Sequence, residues 1–301
     1  MFLEALSKEE LETILGEQGK KVINYFIQKS IFSQPEKTSK DQSIALRIPK
    51  EHIEEWFIQA LKVKHTGSGS YPVDFINNND ENNYGADIKC LTYQINSKGH
   101  LKNSDSGETS LGQNFSTAGN DLDNLFKSSN FEQIINNWID LLTLKLEKPK
   151  NQHQIDVIYY FFILLPNDKS GNSTQKIYLC GTKVNTSDIQ NFELDRGTND
   201  SVFLKNVISP ELGNSKIYKA KKRMELRLKP KKWVEENLVL TFDIELNPVP
   251  IFIRDIIEKE DVMELYLDYC FQKIVKKNPE KIKEILEQIK LIDLDLYSKL
   301  I

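Results

Sequence analysis

Asp74, Asp87 and Lys89 are the residues of this chain whose types and spacing best suit chemistry. They sit in Tyr71-Pro72-Val73-Asp74-Phe75-Ile76, then an Asn-rich turn, then Gly85-Ala86-Asp87-Ile88-Lys89-Cys90-Leu91. Alternate side chains of a strand share a face, so Asp87 and Lys89 stand together and Ile88 points away. Asp74, on a neighbouring strand joined by the turn at 77–84, can meet them there. Two carboxylates held close repel each other, and a hard divalent cation removes that penalty. The main-chain carbonyl of Ile88 is a natural further ligand. Lys89 can orient or deprotonate a water, or stabilise charge on a phosphate. Such a set would suit metal-assisted hydrolysis of a phosphodiester. The plain alternative is a solvated hairpin that carries Asp and Lys.

The elements around these residues must present them. Residues 8–30 read as an amphipathic helix, with Leu11, Ile14, Leu15, Val22, Ile23 and Phe26 at helical spacing. Residues 31–43 read as a surface connection. A second helix begins at Pro49, and Ile53, Trp56, Phe57, Ala60 and Leu61 form its core-facing stripe. His65 to Ser70 is a Gly/Ser loop before the two acid-bearing strands, and residues 95–119 form a long polar stretch. Helices are expected near 120–128 and 131–147, with strands at Ile155–Leu165, Lys176–Val184 and Leu238–Leu246. The tail from about 253 to 300 reads as helical, broken near Pro279. The order helix, strand, strand, helix, strand, strand describes an α/β (α+β) fold: a central mixed β-sheet flanked by helices.

Pro72-x-Asp74 followed by Asp87-x-Lys89 in a hairpin resembles the PD-(D/E)xK nuclease superfamily, and type II restriction endonucleases in particular. The resemblance covers roughly residues 50 to 95 and departs from the family pattern in the residue between the proline and the first acid. It implies a restriction-endonuclease-like fold and Mg²⁺-dependent hydrolysis of double-stranded DNA, with Asp74, Asp87 and the Ile88 carbonyl as metal ligands and Lys89 as a catalytic residue. Members often use a further acid from the preceding helix. Glu54 lies near the edge of the apolar face and Glu55 almost opposite it, which favours Glu54. Asp80 and Glu81 fall in a turn and read as solvated. The reading gives one nuclease domain over 1–301, with an N-terminal helical segment (1–45), a catalytic sheet core (46–250) and a helical C-terminal extension (251–301).

A basic segment at 216–232 supplies a reason for DNA as substrate. It holds nine Lys and Arg residues against one acid, Glu225, in a chain of formal net charge −4. Lys221, Lys222, Arg223, Arg227 and Lys229 are its candidate phosphate contacts. If Met224 to Lys229 is a strand, Arg227 and Lys229 project together from one face. An ordinary solvated basic stretch is the alternative. Gln113 and Asn114 can pair with adenine edges, and Lys102 with phosphate or guanine.

Composition narrows the class. The 301 residues are 39% hydrophobic and 28% charged, as in a globular protein with a sizeable core. Cys90, Cys180 and Cys270 make no CxxC pair, and the four histidines are scattered, which argues against disulfide or zinc frameworks. The run Val157 to Leu165 is too short to span a bilayer and the N-terminal residues do not read as a signal peptide, so a cytoplasmic location is expected. A restriction enzyme implies a two-fold homodimer matched to a palindromic site, and a cognate DNA methyltransferase in the host. Two other readings stay open: a structure-specific or repair nuclease of the same superfamily, and a non-catalytic DNA-binding protein.

Overall fold

The computed structural model describes residues 1–34, 48, 50–66, 71–79, 82–113, 122–167, 174–245 and 251–301. The elements up to the first crossover are β1 (Leu3–Ala5), α1 (Lys8–Phe32), α2 (Lys50–Leu61), β2 (Lys64–His65), β3 (Phe75–Asn79), β4 (Asn82–Gln94), β5 (Thr109–Gln113), α3 (Leu122–Lys127) and α4 (Phe131–His153). Then follow β6 (Val157–Asn167), β7 (Thr174–Val184), β8 (Glu193–Gly197), β9 (Ser201–Lys205), β10 (Gly213–Tyr218), β11 (Arg223–Leu228), α5 (Pro230–Glu235) and β12 (Leu240–Glu245). Three helices end the chain: α6 (Glu260–Phe271), α7 (Pro279–Ile292) and α8 (Leu294–Leu300).

The first sheet has seven strands in the order β1-β7-β6-β4-β3-β2, with β12 pairing β7 beyond β1. It is mixed. β4 and β6 run parallel, with Asp87 beside Tyr160 and Lys89 beside Phe162, and the other pairs are antiparallel. A parallel pair needs a long crossover, and α3 and α4 lie within that connection. β6 is buried on both faces, which explains its unbroken apolar run.

Helices cover one face. Ser7 caps α1 in a reciprocal capping box with Glu10. α1 and α2 bury Leu11, Ile27, Trp56 and Phe57 against Phe75, Ile88 and Phe161 of the sheet. The other face packs on α4. Its residues Ile134, Trp138, Leu142 and Leu146 share a cluster with Leu91, Tyr160 and Phe162. α4 continues past the expected 147 to His153, with Pro149 buried inside it.

A second sheet of five antiparallel strands, β5-β11-β10-β9-β8, joins this same cluster through Leu111, Val202, Ile217, Met224, Leu226 and Leu228. Sequence patterning anticipated only β11 among its strands. β5 lies within the stretch read as polar; its pairing with β11 and the complete burial of Leu111 hold it in place. β1 was not anticipated either. The C-terminal helices form a third cluster around Tyr266, Tyr269, Ile285 and Ile289, with a break before Pro279. Phe271 meets Phe32 of α1 edge-on at 6.0 Å. Among the described residues no helix is long and apolar enough to cross a membrane.

Candidate functional site

Strand β4 builds the centre of the site. Its residues Leu91 and Tyr93 enter the cluster beneath α4, while Ala86 and Ile88 enter the one beneath α1 and α2. Strand alternation therefore turns Asp87 and Lys89 to the α4 side. Both are buried, at 9% and 7% exposure. Lys89 Nζ donates to Asp87 Oδ2 at 2.7 Å and lies 5.3 Å from the centre of the Tyr160 ring on β6. A Cβ on Gly85 would come within 2.8 Å of Ile155 Cδ1 and 3.1 Å of Val73 Cγ1. Glycine is thus what lets these side chains close over the strand beside the site.

Asp74 immediately precedes β3. Its amide donates to Ala86 O at 2.7 Å, and its carboxylate accepts the Ile88 N–H at 2.6 Å. Thr66 fixes the same backbone, donating from N and Oγ1 to Asp74 O at 3.1 Å each. The Asp74 carboxyl is pushed up to about 7 by burial first and the negative charge of Asp87 second. The Ile88 hydrogen bond opposes that rise, and Glu54 adds to it. Glu54, half-buried on α2, is thus within electrostatic reach of Asp74, whereas Glu55 is exposed. Since the Ile88 amide faces Asp74, its carbonyl is directed to the same edge of the strand.

Two further groups enter this space from elements far away in sequence. Lys145 on α4 donates from Nζ to Leu111 O at 2.9 Å. Burial holds its pKa below the ordinary lysine value, against an opposing pull from Asp87. The signal was in the sequence: Lys145 falls seven residues after Trp138 and three after Leu142, on the apolar stripe of its helix. Tyr160, beside Asp87 across the β4–β6 pairing, is fully buried. Its hydroxyl has no hydrogen-bond partner among the described residues, and burial and Asp87 both raise its pKa.

Among the described residues no three or more His, Cys, Asp or Glu side chains gather as a metal-holding group. What gathers is two carboxylates, a backbone carbonyl edge and Glu54 nearby. That all-oxygen set fits Mg²⁺, which keeps several waters and takes only one or two protein carboxylates. It does not fit a metal that needs a full protein cage.

The expected DNA contacts behave differently. Lys102 is exposed after β4. Gln113 ends β5 opposite Arg223. Asn114, Asp80 and Glu81 lie outside the described residues. In the basic segment, Lys221, Arg223 and Arg227 all converge on Glu108, with Arg223 Nη2 and Arg227 Nη2 at 2.6 and 2.9 Å. Arg223 Nε also meets the fully buried Glu225 at 2.8 Å, and Lys216 approaches it at 3.7 Å. Lys229 leaves the strand to cap α5 and donates to Pro210 O at 2.7 Å. The expectation that Arg227 and Lys229 project together is therefore corrected: β11 ends at Leu228, and each cation is drawn to a different partner. Lys222 is an exposed turn residue with φ 47°. With the site described, comparison adds no relative: no family model, no curated protein and no solved structure matches this chain.

Proposed function

We propose that this protein is a Mg²⁺-dependent nuclease of the PD-(D/E)xK kind, acting as a type II restriction endonuclease on double-stranded DNA. The observation that carries the reading is the buried Asp87–Lys89 pair on one face of β4, with the Asp74 carboxylate held at the adjoining Ile88 amide. The chain order α2, β3, β4, α4, β6, β7 supports a restriction-endonuclease-like core.

Asp74, Asp87 and the Ile88 carbonyl would hold the ion. The chemistry a bound Mg²⁺ supplies is neutralisation of phosphate charge and acidification of water. Lys89 sits where it can take a proton from the attacking water or stabilise charge on the phosphate. Lys145 supplies a second cation from the opposite wall. Water oxygen bonds to phosphorus as its proton passes to Lys89 or to solvent, the ester P–O bond breaks, and the leaving oxygen takes a proton from solvent. The hydrogen bond from Ile88 fixes Asp74 before substrate arrives, so less ordering is left to substrate binding. A two-fold homodimer, a cognate methyltransferase and a cytoplasmic setting belong to the same proposal.

Plasmid digestion with Mg²⁺ tests it. Discrete fragments from the wild type and none from Asp87→Ala are the expected result. Equal digestion by both proteins would overturn the role of Asp87. Cutting governed by DNA structure and not by sequence would replace the restriction reading with a repair or junction-resolving one.

A further inference from the structure

The arginines of β11, Arg223 and Arg227, are already engaged with Glu108 and Glu225, which turns attention to positive surfaces elsewhere. A groove of about 420 Å³ lies along β2, at the edge of the first sheet. Lys62, Lys64, His65 and His153 line it, together with Thr66 and Asn78. Among the described residues its wall carries no carboxylate. All four basic side chains are exposed. The chain turns out of α2 at Lys62, with φ 54°, and enters β2 at Lys64, so both lysines flank one tight bend.

The groove shares a wall with the candidate site. Thr66, part of that wall, is the residue whose amide and hydroxyl hold the Asp74 carbonyl. At His153 the wall continues into Tyr71, whose ring meets the imidazole edge-on at 5.8 Å. Lys148 Nζ lies 5.2 Å from the centre of that tyrosine ring and extends the run of cations along α4. A second cavity of about 450 Å³ also reaches Asn77, but Glu9, Glu10 and Asp156 line it and, among the described residues, no lysine or arginine does. Among the described residues, charge is thus sorted by sign between the two cavities beside this hairpin, whose turn residues Asp80 and Glu81 lie outside them.

We propose that the β2 groove binds the sugar–phosphate backbone of the DNA strand beside the phosphate presented to Asp74 and Asp87. The inference rests on the nuclease reading. Lysine ammonium groups serve as point charges for phosphate, and an asparagine amide adds a neutral donor. Such contacts fix the register of the duplex without reading its sequence.

The test is anisotropy of a short labelled DNA duplex, without divalent cation, across a series of salt concentrations. The double variant Lys62→Ala/Lys64→Ala should bind about tenfold more weakly. Its plot of log affinity against log salt should be shallower by about 1.8, or about 0.9 for each lost phosphate contact. The Lys62→Arg/Lys64→Arg pair should bind as the wild type does, and Lys283→Ala, at an exposed position of α7, should keep the wild-type slope. Wild-type affinity and slope in the alanine pair would overturn the groove while leaving the reading of Asp87 to its own digestion test. An arginine pair as weak as the alanine pair would overturn it too. A wild type that binds no duplex at all would overturn the groove and the nuclease reading together.

Discussion

The first sheet buries Asp87 and Lys89 next to Asp74, Lys145 and Tyr160, whereas the second buries Glu225 beneath Arg223, with Lys216 and Lys221 alongside. The two clusters use similar residue types and reach opposite balances. In the first, Asp74 is pushed up, Lys145 is pushed down and the Tyr160 hydroxyl has no hydrogen-bond partner among the described residues. Charge is brought together there without full compensation, which marks the cluster as a candidate functional site. In the second, Glu108 alone receives three cations, and the acids lie at the centre of the basic groups. That arrangement ties the start of β5 to β11. Counting charges along the chain cannot tell these cases apart; what distinguishes them is that Lys221, Arg223 and Arg227 each already meet a carboxylate, even though Glu225 Oε2 and Arg227 Nε lack a hydrogen-bond partner among the described residues.

The contrast can be broken most forcefully at the two acids. Asp87→Asn keeps the shape and an acceptor for Lys89. It should cost several kcal/mol of transition-state stabilisation, on the order of a 10³-fold drop in cleavage rate. Rates of plasmid cleavage would check this, with a melting curve to show that the fold is kept. Glu225→Ala should act the other way, lowering unfolding free energy by about 1–3 kcal/mol, because it takes the shared acceptor from cations that are themselves partly exposed. Urea titration measures that loss; a folded fraction that still cleaves at the wild-type rate would separate strut from site.

A smaller effect is expected at Lys145. Lys145→Met should slow cleavage by about 10²-fold while leaving stability unchanged or raised, since burial already disfavours its charged form. The sign follows from that lowered pKa. Between the folded value and the ordinary one of 10.5, the unfolded chain binds more protons. Wild-type stability should therefore rise with pH in that interval, just below 10.5. The methionine variant should lack this contribution, as denaturant midpoints across that range would reveal. The smallest change belongs to Tyr160→Phe, which removes a hydroxyl without a partner. It should leave stability unchanged or raise it by about 1 kcal/mol, and a marked fall in stability would mean that the hydroxyl is bonded after all.

Legibility followed sequence distance. Asp87 and Lys89 were readable because strand alternation is local, and Glu54 because helical phase is local. Asp74 needed one hairpin, and the β3–β4 pairing supplies it. Lys145 and Tyr160 reach the site through the β4–α4–β6 crossover, which no short window contains. The second sheet was hidden for a related reason. Glu108 sits in a stretch that reads as polar loop, and its partner Arg223 lies 115 residues further on. The basic segment looked like a free surface because its neutralising acid is remote in sequence. Only Glu225 lay within view, and its burial depends on a sheet that composition did not announce.

β1 has a consequence for how this molecule comes into being. Leu3–Ala5 pairs with Thr182–Val184 of the first sheet, while the amides of Phe2 and Leu3 donate to Asn206 and Val207 beside the second. Phe2 and Leu3 are almost fully buried. Neither partner exists until about 180 further residues have been translated, roughly 10 to 40 seconds at ordinary elongation rates. For that time two apolar side chains stay exposed on the nascent chain. The clasp between the sheets therefore cannot close until residue 207 has been made, and a long-range closure of this kind slows folding and favours aggregation while it is pending.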